Sequence, residues 1–407
     1  MDLPRLERAF VGLLSQHWSR ANGRMDGAAD DGGQGERLCG GMKNFLSIEV
    51  DRKRVFGLDL LRAFAIFCVV QGHGERLLYD TALDRFTDLP VPHGVDIFFI
   101  MSGFLIGKSF ISYLESHNNR LGRQKILTFY ARTALRILPN YLFILLVNYL
   151  LVHYQVIVGN TKAFPIWRFA TFTQNLFTPF WDFYWESWSL PVQWWFYIFF
   201  PLFLVLLSRF AQPKKYIPWL CLFFVVFSIT FRLSVADHVT NRFSYDVWMR
   251  KTVASRIENI YIGVLAAWLM HYFPKQWKRY GILCFILGIA LFAATRIIPR
   301  NLGSFYHNAV YLTISALSVG LWVPLLTRWK SYKTAVGGFI SRISILSYAM
   351  FLTNSLVILT MDTVCPQFMH HHGVLAYGVY WIVVLAVSYL LHILVEKPFV
   401  QLRERIK

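Results

Sequence analysis

The sequence predicts an all-α polytopic membrane protein, a single bundle of about ten transmembrane helices with both termini cytoplasmic. Three observations carry that reading. Hydrophobic residues make up 56% of the 407 and charged residues only 16%, against roughly 25% charged in an ordinary soluble chain. Apolar runs of about 20 residues recur from Leu58 onward, each long enough to cross ~30 Å of hydrocarbon as a helix. The Lys and Arg residues behind the formal net charge of +18 gather in short clusters between those runs. That is the pattern of a membrane protein holding its positive loops inside. A nucleic-acid binder would concentrate its charge on one face or tail, so no nucleic-acid partner is expected.

Residues 1–41 stand apart. Ala21–Gly41 is rich in Gly, Asp and Arg without periodicity and reads as disordered. It offers no apolar core or cleavage site of a signal peptide. Met42 opens a more typical start, so 1–41 is either a disordered extension or lies ahead of the true start, and 42–407 form the membrane domain. Spans are expected near 57–78, 92–112, 136–154, 188–208, 216–235, 255–273, 280–298, 306–327, 338–361 and 374–395. Alternate connections are basic, beginning with Lys43/Arg52/Lys53/Arg54 and ending with Lys397/Arg403/Arg405/Lys407, whereas 79–91 holds only Arg85 and 362–373 holds neither Lys nor Arg. The segment 232–254 breaks the alternation, with Arg232, Arg242, Arg250 and Lys251 on the side expected to be outer. No internal repeat of the transporter kind is visible. Cys39, Cys68, Cys221, Cys284 and Cys365 show neither metal nor disulfide spacing and read as small hydrophobes.

Charge inside hydrocarbon is costly, so ionisable residues within spans are candidates for function. In the first span Arg62 and His73 are eleven residues apart, about three helical turns, which puts them on one face ~16 Å apart along the axis. Asp59 lies one turn before Arg62 on that stripe. The second span carries Asp96 near its outer end and the small residues Ser102, Gly103 and Gly107, which permit close helix contact. Ser102 has no base near it in sequence. Arg132 and Arg136, at i and i+4 by the mouth of the third span, suit a phosphorylated ligand from the cytoplasm; ordinary anchoring of a basic loop is the alternative. Ahead of the fourth span, Trp167 to Trp185 with Asp182 and Glu186 could stack on and hydrogen-bond sugars, or form an interfacial aromatic belt. His370-His371-His372 reads as a solvated turn rather than a metal tract.

Taken together these motifs resemble the acyltransferase-3 family of integral-membrane O-acyltransferases, which modify bacterial surface polysaccharides such as lipopolysaccharide O-antigen, capsule and peptidoglycan. The resemblance runs from about residue 55 to 403. It is carried by Leu58-Asp59-x-Leu61-Arg62 with His73, and by Gly94-x-Asp96-x-Phe98-Phe99-x-x-Ser102-Gly103. Arg132-x-x-x-Arg136-Ile137-x-Pro139-x-Tyr141 and Trp188-Ser189-Leu190-x-Val192 leading to Phe196-Tyr197 follow. Ser255-Arg256 leading to Gly263, Ser347-Tyr348 and Val395-Glu396-Lys397-Pro398-Phe399 complete the series. Two positions depart from the family pattern. Gln193 stands where Glu is usual, and Phe351-Leu352-Thr353-Asn354 lacks the late histidine. They leave the carboxylate partner of His73 open among Asp96, Glu75 and Glu186. The appended soluble domain of some relatives is not seen before Lys407, so transfer is expected to finish within the bundle.

The resemblance implies acyl transfer, most simply of acetyl, from cytoplasmic acyl-CoA (acetyl-CoA) to a hydroxyl of a surface or lipid-linked glycan in the inner (plasma) membrane. His73 is expected as general base, with Arg62 and Asp59 beside it in the catalytic set. Arg132, Arg136 and Arg62 would hold the CoA phosphates. Asp96, Ser102, Gln193, Glu186 and Trp188 would line the acceptor side, and Pro139 and Glu396 would be structural. No permanently bound cofactor or metal is expected. The rival classes are a transporter of a glycan or acyl donor, and an inactive relative acting as a binding protein.

Overall fold

The structure, a computed structural model, describes residues 48–51, 54–87, 92–162 and 165–406. The expected disordered stretch 1–41 lies outside the described residues. The remainder is helical, with no strand among the described residues. The principal helices are α1 (Phe56–Gly74), α2 (Gly94–Ser116), α3 (Arg123–His153), α4 (Ser189–Leu207) and α5 (Pro213–Ser234). They continue with α6 (Glu258–Tyr272), α7 (Gly281–Ile297), α8 (Tyr311–Gly320), α9 (Ala335–Val364), α10 (Gly373–Leu391) and α11 (Lys397–Arg405). Among the described residues nine helical segments are long and apolar enough to cross a membrane, and α7 is a shorter apolar helix. The protein is thus a multi-pass membrane bundle close to the ten spans expected.

Local chemistry sets several boundaries. Pro213 opens α5, where its missing N–H costs nothing. The Thr334 hydroxyl accepts from the Gly337 N–H at 3.2 Å and starts α9. The third span differs from expectation because α3 begins at Arg123 rather than near 136. Residues 123–135 contain no helix breaker, and a hydropathy window cannot see a helix that projects beyond hydrocarbon. Arg132 and Arg136 therefore sit within a long helix whose first turns precede the apolar stretch expected to cross the membrane.

The closest packing joins α2 to α6. A Cβ on Gly103 would fall 1.8 Å from the Ile260 carbonyl oxygen, and one on Gly263 would fall 2.0 Å from that of Ile100. Both positions must lack a side chain for the backbones to touch, which is the close-contact role expected of the small residues in the second span.

Between α3 and α4 the chain folds back as an aromatic plug that leaves Trp167, Phe177 and Trp181 exposed at the surface. Phe169, Phe172, Phe180, Phe183 and Tyr184 are buried. The Phe172 ring lies between those of Tyr141 and Trp194, with centroids 4.6 and 4.7 Å away. The plug ends at a left-handed corner, with φ of 72° at Asp182 and 40° at Tyr184. Such conformations are strained for residues with a Cβ, and the buried Tyr184 ring, stacked at 5.9 Å on Tyr141, holds the corner in place. The corner delivers Glu186 to the head of α4.

The basic residues that broke the charge alternation have separate explanations. Arg232 of α5 is fully buried and donates to both carboxylate oxygens of Glu258 at 2.6 and 3.2 Å. It also donates to the Ser255 and Ala309 carbonyls and to Thr313 Oγ1. Asp246 pairs with Arg250 at 2.6 Å and with Lys251 at 2.7 Å. Arg232, Arg250 and Lys251 therefore balance internal carboxylates and say little about which side their loop faces.

Candidate active site

His73 occupies the last turn of α1. Its Nε2 lies 3.3 Å from Glu186 Oε2, and its Nδ1 faces the side chains of Asn354, at hydrogen-bond distance, and Ser355, at 2.8 Å. The Asn354 amide donates to the Met350 and Phe351 carbonyls at 2.9 and 2.7 Å, which turns its oxygen toward the imidazole. That orientation favours a proton on Nδ1, and the Glu186 carboxylate, which can only accept, faces Nε2. Lys251 closes the site from the next loop, with its ammonium 3.6 Å above the Trp185 ring. Burial holds that ammonium below the ordinary lysine range.

The other end of α1 meets a different environment. Arg62 lies 3.5 Å from Asp59 and within electrostatic reach of Arg136 and Tyr197. Arg132, Arg136 and Arg403, with Glu404 as the one carboxylate, border a cavity of about 370 Å³ together with Thr133 and Phe129. Arg403 belongs to α11, and Arg132 donates to the Ile406 carbonyl at 2.6 Å, so the C-terminal helix forms one wall. From this cavity a polar string runs inward. Arg136 donates to the Tyr197 hydroxyl at 3.4 Å, Tyr197 donates to Gln193 Oε1 at 2.9 Å, and Ser102 donates to the same oxygen at 3.4 Å.

The expected site residues thus divide. Arg132 and Arg136 border one cavity, with Arg62 within electrostatic reach of Arg136, and His73 meets Glu186, one of its three candidate carboxylates, at the other end of α1. Asp59 does not join His73. Fourteen residues of helix, ~21 Å, separate them, and Asp59 instead accepts from Arg54 at 2.5 Å and from Ser344 at 3.0 Å. Asp96 is fully buried and held by Arg256 and Asn259, which removes it from the acceptor side and from His73. Trp188 packs edge-on against Phe99 in the core, so its ring faces no acceptor. Gln193 contacts Ser102 and Tyr197 rather than the imidazole. Pro139 lies within α3 beside Asn140, whose amide donates to Glu396 at 3.3 Å, and His392 pairs with the same carboxylate. That joint fastens α3 to the C-terminal segment.

Sequence reasoning missed Asn354, Ser355, Lys251 and Arg403. Only Asn354 left a trace, as the position where the late histidine of the family pattern was wanting. Among the described residues no group of three His, Cys, Asp or Glu side chains could hold a metal, and His370, His371 and His372 are exposed.

A family model described as an acyltransferase domain matches residues 55–393. The chain belongs to the acyltransferase-3 family. This family member is 27% identical over 336 residues to a provisionally named O-acetyltransferase of Staphylococcus aureus strain COL, covering 74% of this chain and 50% of that protein. It is 26% identical over 252 residues to the O-acetyltransferase OatA of S. aureus strain NCTC 8325 / PS 47, covering 58% and 39%. The chain therefore spans about half or less of the length of the curated relatives it matches. No solved structure matches it significantly.

Proposed function

We propose that this family member transfers an acyl group, acetyl in the simplest case, from cytoplasmic acyl-CoA to a hydroxyl of a surface or lipid-linked glycan. The observation that carries the reading is the division of labour along α1, an arginine-bordered cavity at one end and His73 with Glu186 at the other. Guanidinium forks suit the CoA phosphates. The thioester arm would follow the polar string from Arg136 through Tyr197 and Gln193 toward the site. In the reaction His73 Nε2 takes the acceptor hydroxyl proton while that oxygen attacks the thioester carbonyl carbon. The C–S bond then breaks, and the departing CoA thiolate takes the proton back from the imidazolium. Asn354 fixes the tautomer, and Glu186 stabilises the imidazolium when charge develops on it.

The Gln at 193 does not argue for an inactive relative, because the carboxylate beside the imidazole comes from Glu186. Direct transfer is favoured over an acyl-serine because Ser102 has an amide oxygen, not a base, as its partner. Both termini would face the cytoplasm of the plasma membrane, with the His73 end outward. The test is transfer of labelled acetyl from acetyl-CoA to a glycan hydroxyl in membranes containing wild-type protein. Absence of any transfer, or label retained on Ser102 of the denatured protein, would sink the direct mechanism.

A further inference from the structure

A second cavity, of about 500 Å³, opens beside the His73 end. Its walls include His93 at the head of α2, Arg242, Asp246 and Arg250 from the segment between α5 and α6, and Arg300 and His307 near α8. Three guanidinium groups face a single carboxylate. Asp246 is shared between Arg250 and Lys251, while Arg300 donates to the Tyr311 hydroxyl at 3.2 Å and lies over that ring. The positive potential is felt by His93, whose imidazole is held well below its ordinary range by Arg250, by burial and by Arg256, Arg296 and Arg300. His307, only 7% exposed, is stacked on Tyr245, yet its buried Nδ1 has no hydrogen-bond partner. Orphaned buried polar atoms are rare and call for a partner. Here the atom belongs to a wall of the cavity.

We propose that this cavity binds a phosphate-bearing group of the acceptor and so anchors the acceptor while its hydroxyl reaches His73. The inference rests on the acyltransferase reading and adds the chemical class of what is acylated. Arginine is suited to phosphate because its planar fork donates two parallel hydrogen bonds to adjacent oxygens. The excess of positive charge matches a multiply charged phosphate better than a single carboxylate. Continuity with the reaction site is direct. Asp246 binds Lys251, Lys251 covers Trp185, and the next residue is Glu186.

The test measures inorganic pyrophosphate binding to the full chain purified in an uncharged detergent, without any acyl donor, so that it stands apart from transfer activity. Wild type should bind pyrophosphate, and Arg242→Gln with Arg300→Gln should weaken binding by roughly 10-fold or more. CoA affinity at the opposite cavity and the melting temperature should be unchanged, which shows that the variant is folded. Equal pyrophosphate affinity in the two proteins overturns the site, and equal affinity for glucuronate overturns the phosphate class. Repeating the measurement in phosphatidylcholine and phosphatidylglycerol nanodiscs distinguishes the source. Similar affinity in both fits an acceptor site, whereas loss of binding in phosphatidylglycerol shows that bilayer headgroups fill the cavity and overturns the acceptor assignment.

Discussion

Two of the charged pairs within the bundle differ in almost every physical respect. The Arg232 and Glu258 side chains are both 0% exposed, and every polar atom of the Arg232 guanidinium is satisfied by the carboxylate, Thr313 or a backbone carbonyl. His73 and Glu186 are 29% and 18% exposed and meet at 3.3 Å. A saturated, sealed pair has no capacity left for a substrate, and its charges serve packing of α5, α6 and α8. The partly exposed pair leaves the access that the proposed role of His73 as base requires. Charge within hydrocarbon is costly for both pairs, and the difference in exposure is what the proposed catalytic role of His73 rests on.

The largest expected effect belongs to the open pair. His73→Ala should lower the transfer rate by on the order of 10²–10⁴-fold, the usual worth of general-base catalysis, with CoA affinity little changed. Glu186→Gln should fall between that variant and wild type, since it removes the charge that stabilises imidazolium but leaves the base. Near wild-type transfer by His73→Ala would place the base elsewhere and erase the contrast. The sealed pair should respond in stability instead of rate. Arg232→Ala should cost about 3–5 kcal/mol by stranding Glu258 in a buried site, read as loss of folded protein from the membrane. Replacing both members with apolar residues of similar volume should restore much of the folded protein. Retained folding but lost transfer in that double variant would make Arg232 functional after all.

The fold was legible because apolar length and charge clustering act locally, and the arginines at one end followed from helical spacing plus a family motif. The partners of His73 were not legible for equally physical reasons. Glu186 lies 113 residues away in a loop, and its approach depends on a left-handed corner at Asp182 and Tyr184 held by buried rings. Asn354 carries a side chain unlike the one the family motif calls for. Arg232 and Arg250 count as loop charges in the sequence, because counting cannot distinguish a charge paired with Glu258 or Asp246 from one in water. Asp96 reads as an acceptor-side residue for the complementary reason, its partner Arg256 being 160 residues on.

A smaller effect, confined to binding, is expected at the donor end. Arg132→Ala with Arg136→Ala should weaken CoA binding by about 2–5 kcal/mol through loss of charge-assisted phosphate contacts. The protein should remain folded, because both side chains are exposed. Calorimetric titration of the purified double variant with CoA checks this, and unchanged affinity would return both residues to topological anchors.

The smallest effect is expected at Gln193, and it tests whether the two ends of α1 are as separate as they stand. The family pattern has Glu at this position, which would suit a carboxylate supporting the imidazole. The geometry gives Gln193 different work, since its Oε1 accepts from Ser102 and Tyr197 and neither group touches His73. A carboxylate oxygen can accept the same two hydrogen bonds, so Gln193→Glu should fold and should preserve the polar string. Any change should appear as less than about a 10-fold change in rate, within what one hydrogen bond is worth. The acidic limb of the pH–rate profile, which reports on the base, should not move. If that limb shifts upward in the Gln193→Glu variant while CoA affinity stays fixed, residue 193 does reach His73 during turnover. Glu186 would then share its role with a second carboxylate, and the contrast between an open catalytic end and a separate donor end would have to be redrawn.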